Sequence, residues 1–237
     1  GTMIRKIGDG KHDITSIYGY NEENGDVYYQ AAALNPHDRQ VFVSHKNGKV
    51  ERLTDQEGWN SAIFSGDYQF FINTWSNYNT PYTFTLRSQK GKVLSVLLDN
   101  SKLKDKMAEY GWSKREPFTF TTSEGISLDG WMLKPNNFDP SHKYPVILFQ
   151  YSGPGSQQVV DSWKAGSLGN GGAFDQYLVQ QGFIVVCVDG RGTGGRGAKF
   201  EKCIYQQMGV LESKDQVETA LWLGNQTYID KQHIGIW

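Results

Sequence analysis

The chain has 237 residues, with 24 Lys and Arg against 25 Asp and Glu and a formal net charge of −1. It therefore lacks the basic excess that nucleic acid or an anionic membrane surface selects. Aromatic residues make up 14% and glycine fills 27 positions, which favours a turn-rich, β-containing globular protein over a helical bundle or a disordered chain.

No run approaches the 18 apolar residues of a membrane span, and Gly1 to Arg5 carries no basic segment followed by an apolar one, so no signal peptide is read. The start falls inside what reads as a strand, an expectation of a segment cut from a longer protein. Cys187 and Cys203 are too few for a disulfide framework or a four-ligand zinc site. The five histidines are scattered without ligand spacing. No metal is expected.

Residues 27–53 and 70–96 superimpose at an offset of 43 without a gap. Val27-Tyr28-Tyr29-Gln30 matches Phe70-Phe71-Ile72-Asn73, Val41 and Val43 match Phe84 and Leu86, and Asn47-Gly48-Lys49-Val50 matches Lys90-Gly91-Lys92-Val93. Short strands separated by turn clusters, at a period of about 40–45 residues, are the signature of a β-propeller blade. A coincidental pair of meanders is the alternative. Residues 1–100 are thus expected to be two terminal blades of a propeller whose other blades lie outside this segment.

Ser101 to Tyr110 reads as a short polar helix with Ser101 as a plausible N-cap, and residues 101–115 as a linker. Pro117 to Thr122 and Ser127 to Lys134 read as two strands around Ser123-Glu124-Gly125. Pro145 to Gln150 and Phe183 to Val188 are near-continuous apolar runs, the pattern of parallel strands buried on both faces. Ala173 to Gln181 has helical spacing and ends at Gly182, a suitable helix-stopping glycine. Leu211 to Leu223 reads as a second amphipathic helix with Val217, Ala220, Leu221 and Gly224 on one side, and His233 to Trp237 as a further strand. Residues 116–237 therefore read as an open α/β fold.

Two loops invite a chemical reading. Gly192-Thr193-Gly194-Gly195-Arg196-Gly197 formally matches G-x-G-x-x-G. It follows an interior strand, and the acidic residues about twenty positions on, Glu212 and Asp215, lie within a predicted helix rather than at a strand end. A mobile connection explains it better, and no cofactor is expected. Tyr151-Ser152-Gly153-Pro154-Gly155 follows an apolar strand, which puts Tyr151 at the carboxyl edge of the sheet, where open α/β sheets bind ligands. A phenol there can donate to a developing oxyanion; the alternative is a packing tyrosine beside a turn.

The stretches Lys143 to Pro154, Val188 to Gly194 and Ile234-Gly235-Ile236-Trp237, in this order and spacing, resemble successive strand ends of the dipeptidyl peptidase IV branch of the prolyl oligopeptidase family, in its bacterial type. The resemblance covers essentially the whole chain. It implies the last two blades of a β-propeller followed by the N-terminal half of an α/β-hydrolase domain, ending just before the nucleophile elbow. It implies a serine exopeptidase that works through an acyl-enzyme and takes peptides with Pro or Ala at the second position. A homodimer in the periplasm or secreted is implied as well. Tyr151 matches the family's oxyanion-hole tyrosine. The family's nucleophile lies in Gly-x-Ser-x-Gly-Gly after the Ile-x-Ile-Trp strand, and no G-x-S-x-G occurs in this chain; Gly166-Ser167-Leu168-Gly169 and Gly155-Ser156 fail the spacing. The acidic and histidine partners are expected outside the segment too. His233 precedes the nucleophile strand and is not that histidine, and Glu22-Glu23 sits in a turn and is read as solvated rather than as the family's amine-binding pair. The segment alone is expected to be inactive. A non-catalytic homologue acting as a binding protein is the alternative.

Overall fold

The computed structural model describes residues 2–3, 6–7, 12–163 and 172–237. The chain divides into two compact units, one of residues 1–103 with the short segments 160–162 and 195–197, the other of the remainder.

In the first unit β1 (Ile14–Asn21), β2 (Asp26–Ala31), β3 (Gln40–Ser44) and β4 (Val50–Arg52) pair in sequence order as one antiparallel sheet. A second such sheet holds β5 (Trp59–Phe64), β6 (Phe70–Asn77), β7 (Thr80–Ser88) and β8 (Val93–Leu98). The repeat reaches down to single hydrogen bonds. His45 N–H donates to the Lys49 carbonyl and Gly48 N–H to the His45 carbonyl; one repeat later Ser88 N–H donates to Lys92 and Gly91 N–H to Ser88. Both turns put their glycine at positive φ, +88° at Gly48 and +82° at Gly91, and a Cβ on Gly91 would also collide with the Leu53 carbonyl.

Tyr28, Val41, Val43, Leu53, Ala62 and Phe71 form this unit's apolar core. Tyr28 stacks on Tyr68 at 4.7 Å between centroids and Phe64 lies 4.9 Å from Phe71. Beside them is a buried polar chain. The Thr54 hydroxyl donates to Gln40 Oε1 (2.6 Å), Gln30 Nε2 to the Asn60 carbonyl (2.6 Å), Asn60 Nδ2 to the Arg39 carbonyl (3.1 Å) and Asn73 Nδ2 to Asn60 Oδ1 (3.2 Å).

The propeller expected for residues 1–100 is not found. The described residues form two open four-stranded sheets, and no sheet is curled or closed into a ring. A periodic sequence specifies the strands and turns of each repeat, whereas closure depends on contacts between the first and last sheets of an array, which two sheets do not supply. What the period of 43 encodes here is a pair of equivalent meanders.

The second unit is built on a five-stranded mixed sheet of order β13-β11-β12-β10-β9. After helix α1 (Ser101–Glu109), β9 (Arg115–Thr121) and β10 (Ser127–Leu133) form an antiparallel hairpin, and β10 runs antiparallel to β12 (Ile184–Asp189). β11 (Tyr144–Phe149) is parallel to β12 on one side and to β13 (Ile229–Ile236) on the other. Helix α2 (Ala173–Gln180) precedes β12, and the short α3 (Ala198–Glu201), a 3₁₀ turn (Lys202–Ile204) and α4 (Val210–Gly224) follow it. All six residues of β12 are buried, in keeping with its apolar run. Its neighbours Leu128, Met132, Val146 and Leu148 join Ile184, Val186 and Val188 in one core with Leu223 and Ile229. Each such side chain contributes about 1.5–3 kcal/mol by leaving water.

Two details depart from the sequence reading. Asp99 Oδ1 accepts the Ser101 N–H, so Ser101 opens α1 rather than capping it. The apolar side of α4 faces outward: Val217 and Leu221 are 59% and 62% exposed, while Glu212, Asp215, Gln216, Thr219 and Leu223 are buried. Each of those polar side chains has at least one partner, with Gln216 Oε1 the atom left unsatisfied. Gln216 Nε2 donates to the Val188 carbonyl, the Thr219 hydroxyl to the Asp215 carbonyl, and Gly209 N–H to the Glu212 carboxylate. Val217 and Ala220 line an apolar groove of about 510 Å³ with Leu148, Ile234 and Ile236. No helix among the described residues is long and apolar enough to cross a membrane.

Candidate active site at the carboxyl edge of the mixed sheet

Parallel strands β11, β12 and β13 end at the same edge of the second unit's sheet, and the loops that follow them carry the polar residues singled out from the sequence. Tyr151 stands two residues past β11. Its neighbour Gln150 donates its N–H to the Trp237 carbonyl at 3.0 Å, and Trp237 N–H donates to the Leu148 carbonyl at 3.0 Å. The end of β13 is therefore stitched directly beside Tyr151. The Tyr151 side chain is 66% exposed, and its hydroxyl has no hydrogen-bond partner among the described residues. A phenol exposed at a strand end with an unengaged hydroxyl is open to a ligand oxygen.

The backbone under Tyr151 is closely tied. Gly153 and Gly155 adopt φ of +107° and +77°, conformations that suit glycine. The Ser156 hydroxyl lies 2.7 Å from the Gly153 carbonyl and 3.3 Å from that of Tyr151. Gly155 N–H donates to Glu201 Oε1 at 3.0 Å. From the end of β12, buried Asp189 accepts the N–H groups of Gln158 and Val159, the shortest at 2.8 Å. The side chain that ends the central strand thus holds the far end of the loop that begins with Tyr151.

The glycine-rich loop has a structural explanation. The Thr193 hydroxyl is buried and donates to the Gly190 carbonyl at 2.9 Å. Gly192 has φ +96°, and a Cβ on it would strike Ile204. Arg191 reaches across to Asp215 with its Nε and Nη2, at 3.1 and 2.7 Å, and to Glu124 at 2.8 Å. The hydrogen bonds to Asp215 raise the Arg191 guanidinium above its ordinary value, so it stays charged. Glu124 is held below the usual carboxylate range, first by Lys214 and then by Arg191. The acidic residues about twenty positions on are consumed in these internal contacts, and none waits at a strand end for a ribose.

The remaining candidates fall away individually. His233 is exposed and bonded to Asp230 three residues earlier at 2.7 Å. Glu22 and Glu23 are exposed in the turn after β1, with Glu23 N–H held by Asn21 Oδ1. Ser167 lies outside the described residues. Cys187 is buried in β12, which pushes its thiol well above the ordinary value, so it is an inert core side chain. Among the described residues no three His, Cys, Asp or Glu side chains gather as a metal-binding group. Sequence reasoning missed the part played by Ser156 and placed no weight on the Asp189 carboxylate. The available signal was a single acidic residue closing an otherwise apolar central strand.

Two family models match stretches of the chain. Residues 1–82 match the dipeptidyl peptidase IV (DPP IV) N-terminal region and residues 173–237 the prolyl oligopeptidase family. The chain is similar to a probable dipeptidyl peptidase 4 of Aspergillus flavus, 31% identical over 231 residues, which are 96% of this chain and 30% of that protein. Among solved structures it resembles dipeptidyl peptidase 4 of Porphyromonas gingivalis, with a TM-score of 0.90 and 40% identity over all of this chain and 33% of that one. It also resembles a putative dipeptidyl aminopeptidase IV of Bacteroides ovatus, with a TM-score of 0.83 and 28% identity over 97% of this chain and 32% of that one. The chain spans about a third of the length of these relatives. The chain thus carries a stretch similar to the prolyl oligopeptidase family, with a stretch similar to the dipeptidyl peptidase IV N-terminal region ahead of it.

Proposed function

We propose that the whole protein is a serine exopeptidase that releases dipeptides with Pro or Ala in the second position from peptide N-termini, and that Tyr151 donates its hydroxyl to the oxyanion. One observation carries the reading: the Tyr151 phenol, free among the described residues, stands beside the end of β13, where Gln150 and Trp237 are hydrogen-bonded. In this reading the serine nucleophile follows that strand and comes next to this phenol. The serine oxygen attacks the carbonyl carbon of the second residue, and the carbonyl oxygen becomes an anion held by Tyr151 and a backbone N–H. The C–N bond then breaks, and the remaining peptide leaves as a protonated amine. Water hydrolyses the resulting ester and frees the dipeptide acid. The chain's own contribution is to aim a donor at charge that develops only in the transition state.

In the same reading residues 116–237 belong to the peptidase domain, 101–115 are its linker, and the protein is an exported homodimer of bacterial type.

The test is mass-spectrometric digestion by the full-length protein of peptides that differ only at position two. Release of an intact dipeptide from Pro and Ala peptides, and none from the same peptides with acetylated N-termini, is expected. Cleavage inside the acetylated peptides, or no cleavage at all, overturns the reading. The 237 residues alone are expected to leave every peptide intact.

A further inference from the structure

Tyr151 is not positioned by its own ring, because that ring is largely exposed and its hydroxyl has no partner among the described residues. Its direction must come from the backbone of residues 151–159. Three bonds from the neighbouring strand and loop fix that backbone. Asp189 Oδ2 accepts Gln158 N–H at 3.0 Å and Val159 N–H at 2.8 Å, with Oδ1 also 3.1 Å from Gln158 N. Gly194 N–H donates to the Ser156 carbonyl at 2.9 Å. The Ser156 hydroxyl, buried inside the turn, reaches the Gly153 and Tyr151 carbonyls.

A carboxylate that is 5% exposed and accepts two backbone amides makes charge-assisted bonds, roughly twice as strong as neutral ones. Asp189 is the last residue of a central strand buried at all six positions, so it transmits the rigidity of the sheet to the loop. A buried carboxyl group at this strand end is thus engaged with the loop backbone.

We propose that Asp189, together with Ser156, is a positioning residue that sets the direction of Tyr151 for the oxyanion. The proposal rests on the function assigned to Tyr151 above. Neither residue touches the substrate in this account; both act through the loop backbone.

The experiment is a double-mutant cycle in the full-length protein, using a Gly-Pro chromogenic substrate, with Asp189→Ala, Tyr151→Phe and their combination. A loosened donor costs rate without affinity, so Asp189→Ala is expected to lower kcat by about 10–100-fold with KM within about twofold. Asp189→Asn, which keeps one acceptor oxygen, recovers part of that loss. Hydrogen exchange at the Gln158 and Val159 amides quickens in the alanine variant. The decisive prediction is that the double variant is no slower than Tyr151→Phe alone, because the two residues act on one interaction. If Asp189→Ala does not fold, Ser156→Ala paired with Tyr151→Phe carries the same cycle. Multiplying losses, or an unchanged kcat in the single variant, overturn the positioning role while leaving Tyr151 in place. An unchanged kcat in Tyr151→Phe overturns the oxyanion assignment itself, and this proposal with it.

Discussion

Among the buried side chains shared by the two sheets of the first unit are four amides, Gln30, Gln40, Asn60 and Asn73, whereas the centre of the second unit is β12, five apolar residues closed by one aspartate. The first unit is therefore specified by directional bonds between equivalent meanders, and its strands leave much apolar surface outside: every residue of β8 is exposed. The second is specified chiefly by burial along its central strand, which ends in a polar group at the carboxyl edge. The difference teaches where chemistry can sit. A phenol can be held rigid and yet free only where a packed strand delivers it to a sheet edge and a second loop clasps its backbone.

Substitutions in the two interiors sharpen this contrast. The largest effect is expected at a buried ion pair of the second unit's core, Arg115 with Asp175, both 1% exposed and 3.2 Å apart, with the guanidinium also over the Trp131 ring. Asp175→Ala takes a carboxylate away from a buried cation and should cost about 3–5 kcal/mol in urea unfolding; a loss under 1 kcal/mol would show that this pair does not hold the core. Next comes Leu133→Ala in β10, fully buried, at about 2–5 kcal/mol by lost burial and the cavity left. In the first unit Asn60→Ala removes donors to the Arg39 and Gln56 carbonyls and an acceptor for Asn73. About 1–3 kcal/mol is expected from those unsatisfied groups. If Asn60→Ala proves harmless, the amide chain does not hold the meanders together.

The smallest effect depends on pH. Burial raises Asp161 above the ordinary carboxylate value, with Asp38 nearby adding to it, while its Oδ1 accepts the Tyr78 N–H at 2.7 Å. A carboxyl raised in the folded state favours folding while protonated, and that contribution is lost as pH rises through its folded value. Asp161→Asn keeps an acceptor for Tyr78 and removes the charge. It should raise Tm at pH 7 and make no difference near pH 4. A variant that is less stable at pH 7 would contradict the sign.

Much of this was legible in the residues. Alternation, turn glycines and the offset of 43 located the strands of both meanders, because pleat and turn geometry are local. Apolar runs at 145–150 and 183–188 marked the central parallel strands for the same reason. Ring closure was not legible, since a repeat says nothing about how many sheets meet. Nor was the outward face of α4: Val217 and Leu221 read as a core stripe, and only the partners of Asp215, Gln216 and Thr219 in space explain why the polar side is inside. At the candidate site, the place of Tyr151 past a strand end was visible from strand and turn, but the clasp by Asp189 joins residues 30 and 31 positions apart, and no local pattern encodes it.

The measurement that tests the central claim most directly is the kinetics of Tyr151→Phe in the full-length protein on a Gly-Pro chromogenic substrate. The account predicts a kcat lower by about 10²–10³, close to 3–4 kcal/mol of lost transition-state stabilisation, with KM nearly unchanged. An unchanged kcat, or a loss confined to KM, would mean that Tyr151 holds no oxyanion and that the free phenol at this sheet edge serves some other purpose.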